Sequence, residues 1–140
     1  MRFWDSSAVV PLLIDQESSR RAVRWATEDG VLVLWTLTPV EVVSALRRLV
    51  RDGALSETVS RQAEARMVEL AAGGHVVLDI EAVKAIALRV LRLHPLRVFD
   101  ALQLAAALHW AEGRPEGRGF VTLDARLAEA AQREGFALPA

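Results

Sequence analysis

The chain predicts an α/β fold in which a parallel sheet is covered by helices on both faces. Three observations carry this. Short apolar runs alternate with longer amphipathic ones along the chain, the order that builds parallel sheets through helical crossovers. The runs 31–35 and 76–78 are continuously apolar rather than alternating, as strands buried on both sides require. The 140 residues match one ordinary domain, and a hydrophobic content of 52% supplies a buried core. Residues 1–140 are therefore expected to form a single domain.

Residues 2–5 are the first predicted strand. Helical periodicity follows at 7–14 and at 19–28, with Gly30 as the stop. Residues 31–35 are the second strand. Thr38-Pro39-Val40-Glu41 reads as a helix start, in which Thr38 caps, Pro39 takes the first helical position and Glu41 closes a capping box. That helix is expected to end at Asp52-Gly53. Ser56 begins another, which ends at Gly73-Gly74, and 75–78 form the third strand. A helix over 81–93 stops before Pro95, and an alanine- and leucine-rich helix covers 99–112. After a glycine-rich loop at 113–119 come a fourth strand at 120–123, a helix at 125–133 and a short fifth strand at 136–138. The apolar faces of 40–50 and 101–111 are broad enough for core packing or for a partner surface.

Composition excludes several classes of function. The chain has no cysteine, so neither disulfides nor thiolate chemistry is available, which fits a reducing cytoplasm. No apolar run reaches the roughly 20 residues of a membrane span, and Asp5 interrupts any leader-like apolar stretch. A cytoplasmic protein without a membrane is expected. The net charge of −1 shows no gross basic bias. Lys84 is the only lysine, and the remaining basic residues are arginines, which suit bidentate contacts with phosphate. His75, His94 and His109 lack zinc-site spacing and are expected to be structural or solvated. Ser6 and Ser7 lack a nucleophile-elbow pattern, and no glycine-rich phosphate loop is present. Trp4 and Trp35 fall in predicted strands and belong to the core rather than to a base-stacking platform.

Four acids stand at positions where this fold places its ligands. Asp5 follows the first strand and Asp124 the fourth. Glu41 and Asp100 lie in the first turns of helices. Singly, each has an ordinary explanation, because acids at helix N-termini cap free N–H groups and favour the helix dipole. Together they would meet beyond the carboxyl ends of the strands, where open α/β sheets bind ligands. Carboxylates gathered there repel one another unless a cation joins them. Hard oxygen ligands of this kind select Mg²⁺ or Mn²⁺, and such a site suits phosphate chemistry.

The segments that carry these acids resemble a known family. Trp4-Asp5-Ser6-Ser7-Ala8, Thr38-Pro39-Val40-Glu41-Val42, the stretch from Leu96 through Phe99-Asp100-Ala101-Leu102-Gln103 to Ala105, and Val121-Thr122-Leu123-Asp124-Ala125-Arg126-Leu127 are similar, in order, to the motifs of PIN domains. The resemblance is strongest to the VapC-type toxins of bacterial toxin–antitoxin pairs. It implies a three-layer α/β/α sandwich with strand order 3-2-1-4-5. It implies RNA cleavage dependent on Mg²⁺ or Mn²⁺, with Asp5, Glu41, Asp100 and Asp124 as the catalytic carboxylates. On this reading Asp5 and Asp100 bind the principal metal, Glu41 and Asp124 contact it through water or hold a second ion, and a metal-activated water attacks the phosphodiester. Ser7 and Thr122 match positions whose hydroxyls support the ligands. Arg97 and Arg126, close in sequence to the acids, are candidates for contacts with RNA phosphates. The implied partners are the RNA substrate, a cognate antitoxin protein and a second copy in a homodimer. Trp4 is bulkier than the aliphatic residue expected before the first acid.

The main alternative is a PIN-like module that holds RNA or protein without cutting. A phosphate-accepting receiver domain also places acids at strand ends, but it needs a lysine after a late strand, and Lys84 lies on a mid-chain helix. A Mg²⁺-dependent phosphatase is a third reading.

Overall fold

A computed structural model describes residues 1–140. The elements run in the order β1 (Arg2–Trp4), α1 (Ser6–Leu13), α2 (Ser19–Asp29), β2 (Leu32–Trp35), α3 (Thr38–Arg51), α4 (Glu57–Gly73), β3 (His75–Val77), α5 (Ile80–Leu93), α6 (Val98–Trp110), β4 (Gly119–Val121) and α7 (Ala125–Glu134). The four strands form one parallel sheet in the order β3-β2-β1-β4. Phe3 sits in register with Val33 on one side and Phe120 on the other.

Strand alternation divides the core into two layers. Phe3, Val33, Trp35, Val77 and Phe120 face one side, where α5, α6 and α7 cover them. Trp4, Leu32, Leu34 and Val121 face the other, under α1 to α4. The result is the expected three-layer sandwich. Phe120 links β1 to the end of the chain: its ring stacks on Phe3 at 5.4 Å between centroids and packs against Phe136 at 5.6 Å. Phe120→Ala should destabilise the fold by about 3–5 kcal/mol, the usual cost of truncating a buried phenylalanine. Urea unfolding would measure it; a loss under about 1 kcal/mol would mean that this ring does not tie β1 to the C-terminal segment.

Local signals explain most boundaries. Asp5, Ser56, Asp79 and Asp124 each cap a helix with a side-chain oxygen. Gly135 ends α7 at φ 113°, a conformation that disfavours side chains. At Gly74, a Cβ would stand 2.8 Å from the Leu32 carbonyl oxygen, so only glycine lets α4 hand over to β3 this close to β2.

The structure corrects three expectations and decides a fourth that had two readings. The fifth strand shrinks to a single parallel bridge between Gly119 and Ala137, held by Phe120 N–H to the Ala137 oxygen and Ala137 N–H to the Arg118 oxygen. It lies beside β4 as the order 3-2-1-4-5 requires, but Pro139 has no N–H to extend the ladder. The 99–112 helix starts at Val98 and stops at Trp110, and Glu112 turns out of it with φ 54°. Thr38 is not the cap of α3. Leu37 occupies the N-cap, and the Thr38 hydroxyl accepts from Gln103 instead, so the capping box does not form. The apolar faces of 40–50 and 101–111 are core: Val42 and Leu46 are fully buried, as are Leu104 and the alanines around it. Exposed apolar area lies instead on α5 and the start of α6, at Leu88, Leu91 and Val98.

Candidate active site

The chain crosses from one side of β1 to the other, placing β2 and β4 as its two neighbours, and this switch of direction opens a crevice at the carboxyl ends of the strands. Asp5 N–H bonds to the Val121 oxygen at 2.9 Å, which fixes the end of β1 against the end of β4. Asp5 and Asp124 then leave these strands as the N-caps of α1 and α7. Glu41 arrives from the first turn of α3 and Asp100 from the first turn of α6.

Asp5 is only 2% exposed and lies beneath the crevice, behind Ser6 and Ser7, which line it. Its Oδ2 accepts from Ser7 Oγ at 2.5 Å, from Thr122 Oγ1 at 2.9 Å and from Ser7 N–H at 3.2 Å. Each of these hydroxyls is itself oriented by a backbone donor. Leu123 N–H donates to Ser7 Oγ and Asp124 N–H to Thr122 Oγ1, so both hydroxyl protons point at Asp5. Burial pushes the Asp5 carboxyl above its ordinary range, and the bonds from Ser7 and Thr122 oppose that shift. With Oδ2 saturated, Oδ1 is the oxygen left for the crevice. Ser6 Oγ bridges it to Glu41 Oε1, at 3.4 Å from each.

Glu41 Oε2 accepts from Gln103 Nε2 at 2.9 Å. Burial, and then the neighbouring Asp5 charge, raise its pKa to about 7. Burial, followed by the charges of Asp5 and Asp124, raises Asp100 to about 6, against the pull of Arg97. Asp124 spends Oδ1 on the Leu127 N–H at 2.9 Å, which leaves its second oxygen outside the cap. The four acids thus belong to one electrostatic unit. Glu41, Asp100 and Asp124 line a cleft of about 490 Å³ above Asp5, together with Ser6 and Ser7.

Arg97 lines this cleft and Arg126 does not. Arg126 borders a separate depression with His94, Pro95 and Arg133. It stands two residues beyond Asp124, which on a helix rotates it about 200° away. Arg48 lines the cleft and was missed. It lies seven residues after Glu41, two helical turns along the same face of α3, so helical spacing is the signal that finds it. Gln103 was missed as well. It is fully buried three residues after Asp100, on the face that turns towards Glu41. His94 is buried with Nε2 2.7 Å from Glu134, His75 is exposed, and no histidine lines the cleft.

The donor set fits a hard divalent cation. It consists of carboxylate oxygens alone: the charges of Asp5 and Asp100 add to the effect of burial on Glu41, those of Asp5 and Asp124 to its effect on Asp100, and Arg97 is the only cation that relieves Asp100. Buried beside them, Gln103 Oε1 has no hydrogen-bond partner. The acids surround the cleft without closing on one point, and no three of them stand close enough to enclose an ion by themselves. Such an ion would keep several waters, as Mg²⁺ commonly does.

A parallel α/β sandwich with an acidic cleft at its switch point defines a class of protein, and comparison narrows it to one family. The PIN domain model matches residues 2–133, and the chain belongs to that family. Its fold is similar to that of FitAcB from Neisseria gonorrhoeae, with a TM-score of 0.65 and 16% identity over 100% of this chain and 97% of that one. It is also similar to PAE2754 from Pyrobaculum aerophilum, with a TM-score of 0.62 and 21% identity over 98% of this chain and 87% of that one. Among curated proteins, none matches the chain significantly.

Proposed function

We propose that this chain is an endoribonuclease dependent on Mg²⁺ or Mn²⁺, and the toxin of a VapC-type toxin–antitoxin pair. The observation that carries the reading is a set of acids gathered in a half-buried cleft, where burial first and the neighbouring carboxylates second raise Glu41 to a pKa of about 7 and Asp100 to about 6. Crowded, half-desolvated carboxylates weaken a fold, and a module that only held RNA has no use for them. The PIN family and its four motifs supply the choice of nuclease chemistry.

In this reading Asp5 Oδ1, Asp100 and the free oxygen of Asp124 would hold the cation, in part through the waters that complete its shell. A divalent ion there supplies charge stabilisation for the transition state and lowers the pKa of water. Ser7 and Thr122 orient Asp5 and oppose the effect of burial on its carboxyl. Glu41, fixed by Gln103, orients the attacking water and accepts its proton. Water adds to phosphorus, the P–O bond on the opposite side breaks, and Arg97 steadies the charge on the phosphate oxygens. The partners in this reading are RNA, an antitoxin that covers the cleft and a second copy of the chain. The exposed Leu88, Leu91 and Val98 on the α5 side support that second copy.

Incubation with a mixed pool of single-stranded and structured RNA tests the activity. Cleavage is expected with Mg²⁺ or Mn²⁺ and should vanish with EDTA. An intact pool, with no metal binding by calorimetry, would overturn the reading in favour of a silent binding module.

A further inference from the structure

Three of the four phenylalanines, Phe3, Phe120 and Phe136, are buried and packed on one another. Phe99 is 59% exposed and stands on the rim of the acidic cleft beside Asp100. Its direction follows from α6. Val98 and Leu102, four residues apart, share the face turned to α5, where both border an apolar groove. Phe99 shares the next face with Gln103, which touches Thr38 and Glu41. The ring is therefore presented to the cleft and not to the core.

Two cations flank it. Arg97 lies on the same wall, and Arg48 stands across the cleft on α3. Arg2, Arg47, Arg61, Arg89 and Arg133 are held in ion pairs with acids, whereas neither Arg48 nor Arg97 is. Both are exposed. The cleft thus has carboxylates at its floor, an aromatic face at its rim and an unpaired guanidinium on each wall. An aromatic face takes a base that has left its helix, while guanidinium groups take the phosphates on either side of it.

Resting on the proposed nuclease reading, we propose that Phe99 stacks one unpaired nucleobase of the RNA next to the scissile phosphate, with the flanking phosphates on Arg48 and Arg97. A base inside a duplex offers no free face to this ring, so paired RNA loses the contact. Phe99 determines specificity by requiring an unstacked base, and it takes no part in bond breaking.

Fluorescence anisotropy tests this with a labelled random-sequence pool of single-stranded RNA and with a blunt RNA duplex, in the presence of EDTA so that no cleavage occurs. Phe99→Ala should weaken single-strand binding by about tenfold, the loss of one base–aromatic stack, and should leave duplex binding unchanged. Phe99→Trp should restore it. With Mg²⁺ present, the loss should fall on KM more than on kcat. Arg48→Gln and Arg97→Gln should weaken both RNAs and flatten the salt dependence. Equal single-strand binding by wild type and Phe99→Ala would overturn the proposal while metal-dependent cleavage still stood. An equal loss on duplex and single strand, or a change in oligomeric state with Phe99→Ala, would also overturn it, the latter by placing Phe99 in a protein contact. Absence of RNA binding by the wild type would overturn it too. Failure of the nuclease reading shows separately, as an intact RNA pool in Mg²⁺ and Mn²⁺.

Discussion

Asp5→Asn is expected to abolish RNA cleavage, lowering kcat on the order of 10³-fold or more, while making the metal-free protein more stable. Both effects come from one carboxylate. Asparagine keeps the shape of the side chain, and its Oδ1 can accept the bonds that Oδ2 of Asp5 receives from Ser7 and Thr122. Its Nδ2 then stands where Ser6 Oγ is near, so no polar atom is orphaned. The charge disappears from a position that burial disfavours and that lies beside Glu41 and Asp100. A gain of roughly 3 °C in melting temperature is expected in EDTA near pH 7.5, the shift that about 1 kcal/mol produces in a domain of this size. Circular dichroism melts and RNA cleavage assays on the same preparations check both halves. Retained cleavage would remove Asp5 from the catalytic centre. A variant less stable than wild type would show that the buried charge is no burden to the fold.

Much of this was legible in the sequence. Period and order gave the layers, because continuously apolar strands between amphipathic helices have one way to be covered on both sides. The two strand-end acids, Asp5 and Asp124, were legible because each ends an apolar run, and cap geometry then holds them in place. What escaped depends on long-range packing. Thr38 and Glu41 fit a local capping box, yet the structure gives both side chains to Gln103, more than 60 residues away. No local rule weighs a capping bond against a partner that only the fold brings near. Arg126 followed Asp124 in sequence and so looked close, but helical rotation carries it off the cleft, while Arg48, two turns beyond Glu41, lies on it. Nearness along the chain is a poor guide within a helix; spacing by whole turns is a better one. The fifth strand failed for a smaller reason, since a single N–H and a single C=O at Ala137 complete its pairing before Pro139.

The metal-free protein should lose stability as pH rises from about 4 to about 7, and Mg²⁺ or Mn²⁺ should restore it above that window. Glu41 at about 7 and Asp100 at about 6 are both raised above the ordinary values of 4.5 and 3.8. The folded state therefore holds protons that the unfolded chain has released, so the contribution of these groups is fully present below the unfolded pKa and is lost as pH rises through the folded one. Other shifted acids do not mask the effect. Glu57 and Glu134 are lowered below 4.5 by their arginine partners, and their contributions fade only in stronger acid. A cation in the cleft takes the place of the protons, so its binding should release protons near neutral pH and weaken in acid. At metal concentrations about a hundred times the Kd, the melting temperature should rise by roughly 10 °C near pH 8 and hardly at all near pH 5. Calorimetry in buffers of different ionisation enthalpy counts the protons released. Asp100→Asn, which removes one of the two titrating groups, should reduce both the loss of stability with rising pH and the metal response. A metal response equal at both pH values, with no proton release, would mean that the ion binds somewhere other than among these carboxylates.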